Sequence, residues 1–171
     1  MTEYLVDIKN ERLSFFTPVG EVKALNDVSI HLREGEVLGI VGESGSGKSV
    51  TAYSLMGLTA HPGKLVGGSL MFNGHQIDQM SDKEMRKIRG NEISIIFQDP
   101  MTSLNPVYTV GNQIMEAIRY HTDKSKAQAK ERSRELLELV GINEPDKRLK
   151  QYPHELSGGM RQRIMIAMAL A

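Results

Sequence analysis

The octapeptide Gly42-Glu43-Ser44-Gly45-Ser46-Gly47-Lys48-Ser49 constrains the fold more than any other stretch of the chain. Its spacing, G-x-x-x-x-G-K-S, is that of a phosphate-binding loop. Glycines at those positions let the backbone curl until several N–H groups point at one place. The N-terminus of the helix that follows completes the anion cradle. Both flanks have the required character. Val37-Leu38-Gly39-Ile40-Val41 is a continuous apolar run, the pattern of a strand buried on both faces in a parallel sheet. Ser49 to Leu58 reads as a helix ending near Gly57 or before Pro62. Lys48 adds a point charge for β- and γ-phosphates. Ser49 offers a hydroxyl ligand to Mg²⁺, a cation that favours oxygen donors and substrate phosphates. The loop therefore predicts binding of a nucleoside triphosphate.

Composition narrows the partners. Twenty-one basic and 21 acidic residues give zero formal charge, with no basic block to track a nucleic-acid backbone. Cysteine is absent, which excludes disulfides, thiolate metal sites and a cysteine nucleophile, and fits a reducing compartment. Met1-Thr2-Glu3-Tyr4 lacks the basic start and apolar run of a signal peptide, and no stretch approaches a membrane span. The expectation is a soluble intracellular chain that reaches a membrane only through a partner. The scattered histidines read as no metal site, since His154-Glu155 lacks a second histidine at helical spacing. The ten methionines read as core filler, with Met101 a candidate for contact with a membrane partner.

Around the loop the chain divides into a mixed, strand-rich part to about Phe97 and an all-helical part beyond. Strands are expected at Val6–Ile8, Val28–Leu32 and Ser69–Phe72, the last ending in the turn pair Asn73-Gly74. Ser81 and Glu84 fit a capping box opening a short helix that stops at Gly90. Ile93–Phe97 is a second candidate buried strand and delivers the chain to Gln98. Pro100, Asn105 and Pro106 mark a loop. Helices follow over 110–120 and 123–140, the second with an apolar stripe at Ala129, Ser133, Leu136, Leu137 and Val140, and Gly141 as C-cap. Pro145 and Pro153 bracket a short helix or turn. Met160–Ala171 is the last helix, with Ser157 placed as its N-cap.

Leu156-Ser157-Gly158-Gly159-Met160, followed by Arg161-Gln162-Arg163, resembles the signature motif of ATP-binding cassette (ABC) transporter ATPases. Gln98, ahead of Asp99-Pro100, sits where that family has its Q-loop glutamine, and Phe15 matches the aromatic that stacks on adenine, with Phe16 beside it as the rival. The stretch Asp99–Pro106 looks like that of the peptide and nickel importer ATPases. The resemblance covers the whole chain and implies an α/β fold: a P-loop NTPase core, with an incomplete parallel sheet and a small antiparallel part, plus an all-helical subdomain. It implies domains at 1–97 and 98–171. It also implies ATP with Mg²⁺ held by the Gly42–Ser49 loop, Gln98 as a metal and water contact, and Ser157, Gly158 and Gly159 as a second phosphate site. Ser157-Gly158-Gly159 would act on nucleotide in a second ATPase subunit, homo- or heterodimeric and head to tail.

Further partners implied are transmembrane permease subunits, a solute-binding protein met indirectly, and no nucleic acid, at the cytoplasmic face of the cell membrane. The solute, whether dipeptide, oligopeptide or nickel, stays open. Hydrolysis in the family needs a Walker B aspartate, an adjoining glutamate base, a D-loop and a switch histidine, which follow the signature helix. The sequence stops within that helix at Ala171, so the 171 residues alone are expected to be inactive and to lack a central strand. Two alternatives remain at this stage: an inactive nucleotide-binding or docking module, and a non-transport ABC ATPase acting on DNA or ribosomes.

Overall fold

The computed structural model describes residues 4–99 and 103–171. The expectations for the first three residues, Pro100 and Met101 lie outside the described residues. The chain forms two compact units, one through Arg86 and one from Lys87 onward.

The first unit is built on an antiparallel sheet in the order β2-β1-β3-β4, with β1 at Val6–Thr17, β2 at Gly20–Leu32, β3 at Gly63–Phe72 and β4 at His75–Gln76. β1 and β2 form one long hairpin whose turn is closed by Thr17 Oγ1 donating to Gly20 O at 2.8 Å. These strands run well beyond the short alternating segments seen in the sequence. The breaks in alternation are absorbed as register shifts: β1 slips against β2 between Ile8 and Ser14, with Asn10 and Asp27 at positive φ. Asn73 and Gly74 both have positive φ, as a tight two-residue hairpin between β3 and β4 requires. Val6, Ile8, Leu13, Leu25, Leu70 and Phe72 supply the sheet's buried face.

Helix α1, Lys48–Leu55, leaves the phosphate loop and ends two residues before Gly57, which has the left-handed φ of a helix stop. A 3₁₀ turn at Ile77–Gln79 leads to α2, Asp82–Ile88. The expected capping box opens α2: the Ser81 N–H donates to Glu84 Oε2 at 2.8 Å, and the Glu84 N–H donates back to Ser81 Oγ at 3.4 Å.

Two strand expectations fail. Val37–Val41 lies outside every strand, and Val37 and Val41 are 96% and 92% exposed. Ile93–Phe97 likewise lies outside every strand, with Ile93 in a single parallel bridge to Arg89. Among the described residues, no parallel sheet forms. The physical reason is pairing. A central strand needs a neighbour along each edge to satisfy its N–H and C=O groups. No other described strand pairs with either segment, so neither joins the sheet, and Val37–Val41, Ile96 and Phe97 are exposed.

The second unit is helical: α3 at Val110–His121, α4 at Lys126–Leu139, α5 at Pro145–Arg148 and α6 at Gly158–Ala169. α3 starts at Thr109, whose hydroxyl accepts from the Asn112 N–H. α4 is capped at Ser125 in a capping box with Gln128, two residues after the start expected at Asp123. The expected stripe is real: Ala129, Ser133, Leu136 and Leu137 are buried, and Gly141 has the left-handed φ of a C-cap. They pack with Val110, Ile114, Ile118, Ile142, Leu156 and Ile164 in one apolar core. Ser133 is tolerated there because its hydroxyl donates to Ala129 O at 2.7 Å. Among the described residues no helix is long and apolar enough to cross a membrane.

Leu136 is fully buried at the centre of this core. Leu136→Ala should destabilise the helical unit by about 2–5 kcal/mol. Urea unfolding followed by circular dichroism measures this; a loss under about 1 kcal/mol would place Leu136 outside a well-packed core.

Candidate functional site

The phosphate loop is seated on the sheet by its last glycine. Gly47 has φ 91°, and a Cβ there would lie 2.7 Å from Leu25 Cδ2 and 3.2 Å from Ala24 O. Any side chain would push the loop off β2, so the position demands glycine for both conformation and space. The first turn of α1 is tied back to the same residue, with the Thr51 N–H and hydroxyl both donating to Gly47 O, at 2.9 and 3.2 Å. Thr51 is buried, whereas Gly42 to Ser46 and Ser49 are exposed.

Lys48 is already oriented. Its ammonium donates to Gly42 O at 2.7 Å, Glu43 O at 2.6 Å and Ser46 Oγ at 3.1 Å. The side chain thus bends back over its own loop instead of extending into solvent. At Gly42, a Cβ would fall 2.7 Å from Ser46 Oγ, so the first glycine makes room for the serine that shares the lysine. Ser46 itself is held by its N–H donating to Glu43 O at 3.2 Å. The arrangement fits a phosphate ligand: an exposed concave loop, a preplaced cation and a helix N-terminus in one short segment. Neither the self-coordination of Lys48 nor the tie from Thr51 to Gly47 is readable from motif spacing, because backbone carbonyls carry no side-chain signature.

Phe15 lies in β1 opposite Val22 and Gly63, and a Cβ on Gly63 would meet its ring at 2.8 Å. It is half-buried against the chain that follows α1. Phe16 is 44% exposed, with the Lys64 ammonium 6.0 Å from its ring centroid.

In the second unit, Gln98 is exposed at a bend just after the open segment 93–97. Ser157 is the N-cap of α6, its hydroxyl accepting from the Met160 N–H at 3.3 Å. Gly158 and Gly159 are exposed at the first two helical positions. A Cβ on either would meet nothing within 4 Å, and neither has positive φ. Among the described residues nothing crowds either position, in contrast to Gly42 and Gly47. Arg163, one turn on, donates to Gly141 O at 2.8 Å and links α6 to the end of α4. Two clefts of about 330 and 620 Å³ flank α3, lined by residues such as Asn112, Met115 and Arg119, and include no residue of either glycine-rich turn.

A family model described as ABC transporter matches residues 25–171. The chain is 56% identical over 97% of its length to the oligopeptide transport ATP-binding protein OppD of Escherichia coli K12, and covers 49% of that protein. It is 55% identical over 98% of its length to OppD of Bacillus subtilis 168, covering 47% of it. It is 49% identical over 98% of its length to the dipeptide transport ATP-binding protein DppD of E. coli K12, covering 51% of it. The chain thus spans about half the length of the curated relatives it matches. In structure it is similar to the ATP-binding cassette MJ0796, solved as a dimer bound to ADP and Pi, with a TM-score of 0.86, 28% identity, and coverage of 97% of this chain and 69% of that one. It is also similar to cbiO1 of Clostridium perfringens, part of the cbiONQ transporter complex, with a TM-score of 0.72, 25% identity, and coverage of 99% and 62%. The fold is accordingly the α/β fold of a P-loop ATPase cassette. Matched from Leu25 through Ala171, and 49–56% identical to ATP-binding subunits along nearly its whole length, the chain belongs to the ABC transporter family.

Proposed function

We propose that this chain is the nucleotide-binding portion of an ATPase subunit that energises uptake of oligopeptides, dipeptides or a chemically related solute. The observation that carries the reading is the preset ammonium of Lys48 inside a glycine loop seated on β2. In this reading Gly42–Ser49 takes the phosphates of ATP, the loop amides and Lys48 meeting the negative charge and Ser49 offering its hydroxyl to Mg²⁺. Phe15 serves as the adenine contact and Gln98 as a second oxygen donor toward metal and water. The identity to OppD and DppD, and the Asp99–Pro106 stretch, support the peptide class of solute.

Ser157, Gly158 and Gly159 act on a second subunit. They present a capped helix N-terminus, and among the described residues no contact accounts for the two glycines. An approaching phosphate accounts for them, since close approach to backbone amides needs the absence of Cβ. The dimeric state of the MJ0796 cassette supports a paired arrangement. Membrane attachment then comes through permease subunits at the cytoplasmic face, with the solute-binding protein met indirectly and no nucleic acid involved. Hydrolysis needs a general base, and none of these 171 residues is assigned that role, so binding and orientation are the chemistry proposed for the chain itself.

Lys48→Ala should weaken binding of a fluorescent ATP analogue at least about tenfold, because charge-assisted bonds to phosphate are lost. Unchanged affinity in that variant would sink the loop assignment. Gly159→Val should leave thermal stability within about 1 kcal/mol, since the added side chain meets nothing in the chain, yet abolish ATP-dependent dimerisation seen by analytical ultracentrifugation. Undiminished dimerisation would remove the second-subunit role.

A further inference from the structure

Lys48 has no donor to spare. An ammonium carries three N–H groups. All three are used inside the loop, toward Gly42 O at 2.7 Å, Glu43 O at 2.6 Å and Ser46 Oγ at 3.1 Å. Charge attraction can act over these contacts, but a short charge-assisted bond needs an N–H of its own. A phosphate oxygen that bonds this ammonium must therefore take the place of one of the three partners.

The three are not equal. The carbonyls of Gly42 and Glu43 are backbone groups and make the two shorter bonds. Glu43 O also accepts the Ser46 N–H at 3.2 Å, so moving it would open the turn. Ser46 Oγ makes the longest bond and sits on a side chain that leaves by a single rotation about χ1. Ser46 is exposed, so a released hydroxyl turns into water. Its present place exists because Gly42 has no side chain: a Cβ there would lie 2.7 Å from Ser46 Oγ and 3.9 Å from Lys48 Nζ. The loop thus sets aside room for one exchangeable partner of its lysine.

We propose that Ser46 is a latch on Lys48, its hydroxyl holding the third donor of the ammonium until a phosphate oxygen of the nucleotide displaces it. The latch deepens the nucleotide-binding reading and rests on it. A contact made before binding and given up on binding opposes affinity, because only the released form is ready for the ligand. The sign is therefore opposite to that of a group that holds phosphate. Removing the Ser46 hydroxyl should tighten binding, whereas damage to the loop weakens it.

Titration of a fluorescent ATP analogue, with Mg²⁺, into the full chain and its Ser46→Ala, Lys48→Ala and doubly substituted variants tests this. Ser46→Ala should bind about three- to tenfold tighter than the native chain, the share of one hydrogen bond to a charged group at an exposed site. The same change made on top of Lys48→Ala should have no effect, since there is no ammonium left to release. Equal or weaker binding by Ser46→Ala, or an equal gain with and without Lys48, overturns the latch. Ser46→Cys keeps the size and replaces the oxygen with a weak acceptor, so it should also bind tighter and serves if the alanine variant folds poorly. A second measurement needs no nucleotide: NMR of the ¹⁵N-labelled Lys48 ammonium should show its protons exchanging several-fold faster with water in Ser46→Ala. Unchanged exchange overturns the latch even where the analogue binds. Faster exchange in a chain that binds no analogue in any form refutes the nucleotide reading and leaves the contact between Ser46 and Lys48 standing.

Discussion

The double pairing of β1 is the constraint on which the nucleotide-binding unit depends. β1 is hydrogen-bonded to β2 along one edge and to β3 along the other, so it fixes both the hairpin that seats the loop and the strand that returns from α1. Gly47 rests on Leu25 and Ala24 of β2, and Gly63, at the start of β3, rests on the Phe15 ring of β1. Helix α1, which lies between them in sequence, thus starts beside one neighbour of β1 and leads into the other. The last residue of the loop is thereby seated against β2, while the turn itself is held by Lys48 and Ser46.

Within the loop and the helix start, polarity is handled mostly by backbone groups. Lys48 is satisfied by two loop carbonyls and one serine, and Thr51 by Gly47 O. These are neutral acceptors, which hold an ammonium in place without cancelling its charge. A carboxylate in the same position would have formed a tighter pair and left less attraction for an incoming phosphate. The choice of partners keeps the cation both fixed and available. The helical unit uses the complementary device: Ser157 caps α6 by accepting one amide, with no acid at the helix start, so the remaining amide dipoles face outward.

Local chemistry was legible in the sequence and pairing was not. The capping box at Ser81 and Glu84, the turn at Asn73-Gly74, the buried stripe of α4 and the N-cap at Ser157 each depend on residues within a few positions of one another, and each appears where the spacing puts it. The strands of the antiparallel sheet were seen only as fragments, because bulges at Asn10 and Asp27 break the two-residue period that reveals a strand. Val37–Val41 and Ile93–Phe97 failed for the opposite reason. Their apolar runs state a need for burial, but whether that need is met depends on another strand. Glu11 of β1 is fully buried, a placement without a sequence signal, since a lone acid in a strand reads as solvent-facing. The phosphate loop was recognised by spacing, yet the acceptors that orient its lysine are carbonyls that every residue possesses.

The open state of Val37–Val41 has a bearing on how such a chain behaves in bulk. Five consecutive residues without a charge, outside every strand and exposed, present an apolar surface onto which another segment can add. Glu34 and Glu36 on one side and Glu43 on the other act as gatekeepers, since stacking copies in register would bring like charges together. Colloidal behaviour of the chain therefore hangs on three glutamates that border the exposed run, of which Glu36 also accepts the Arg33 N–H at 2.8 Å.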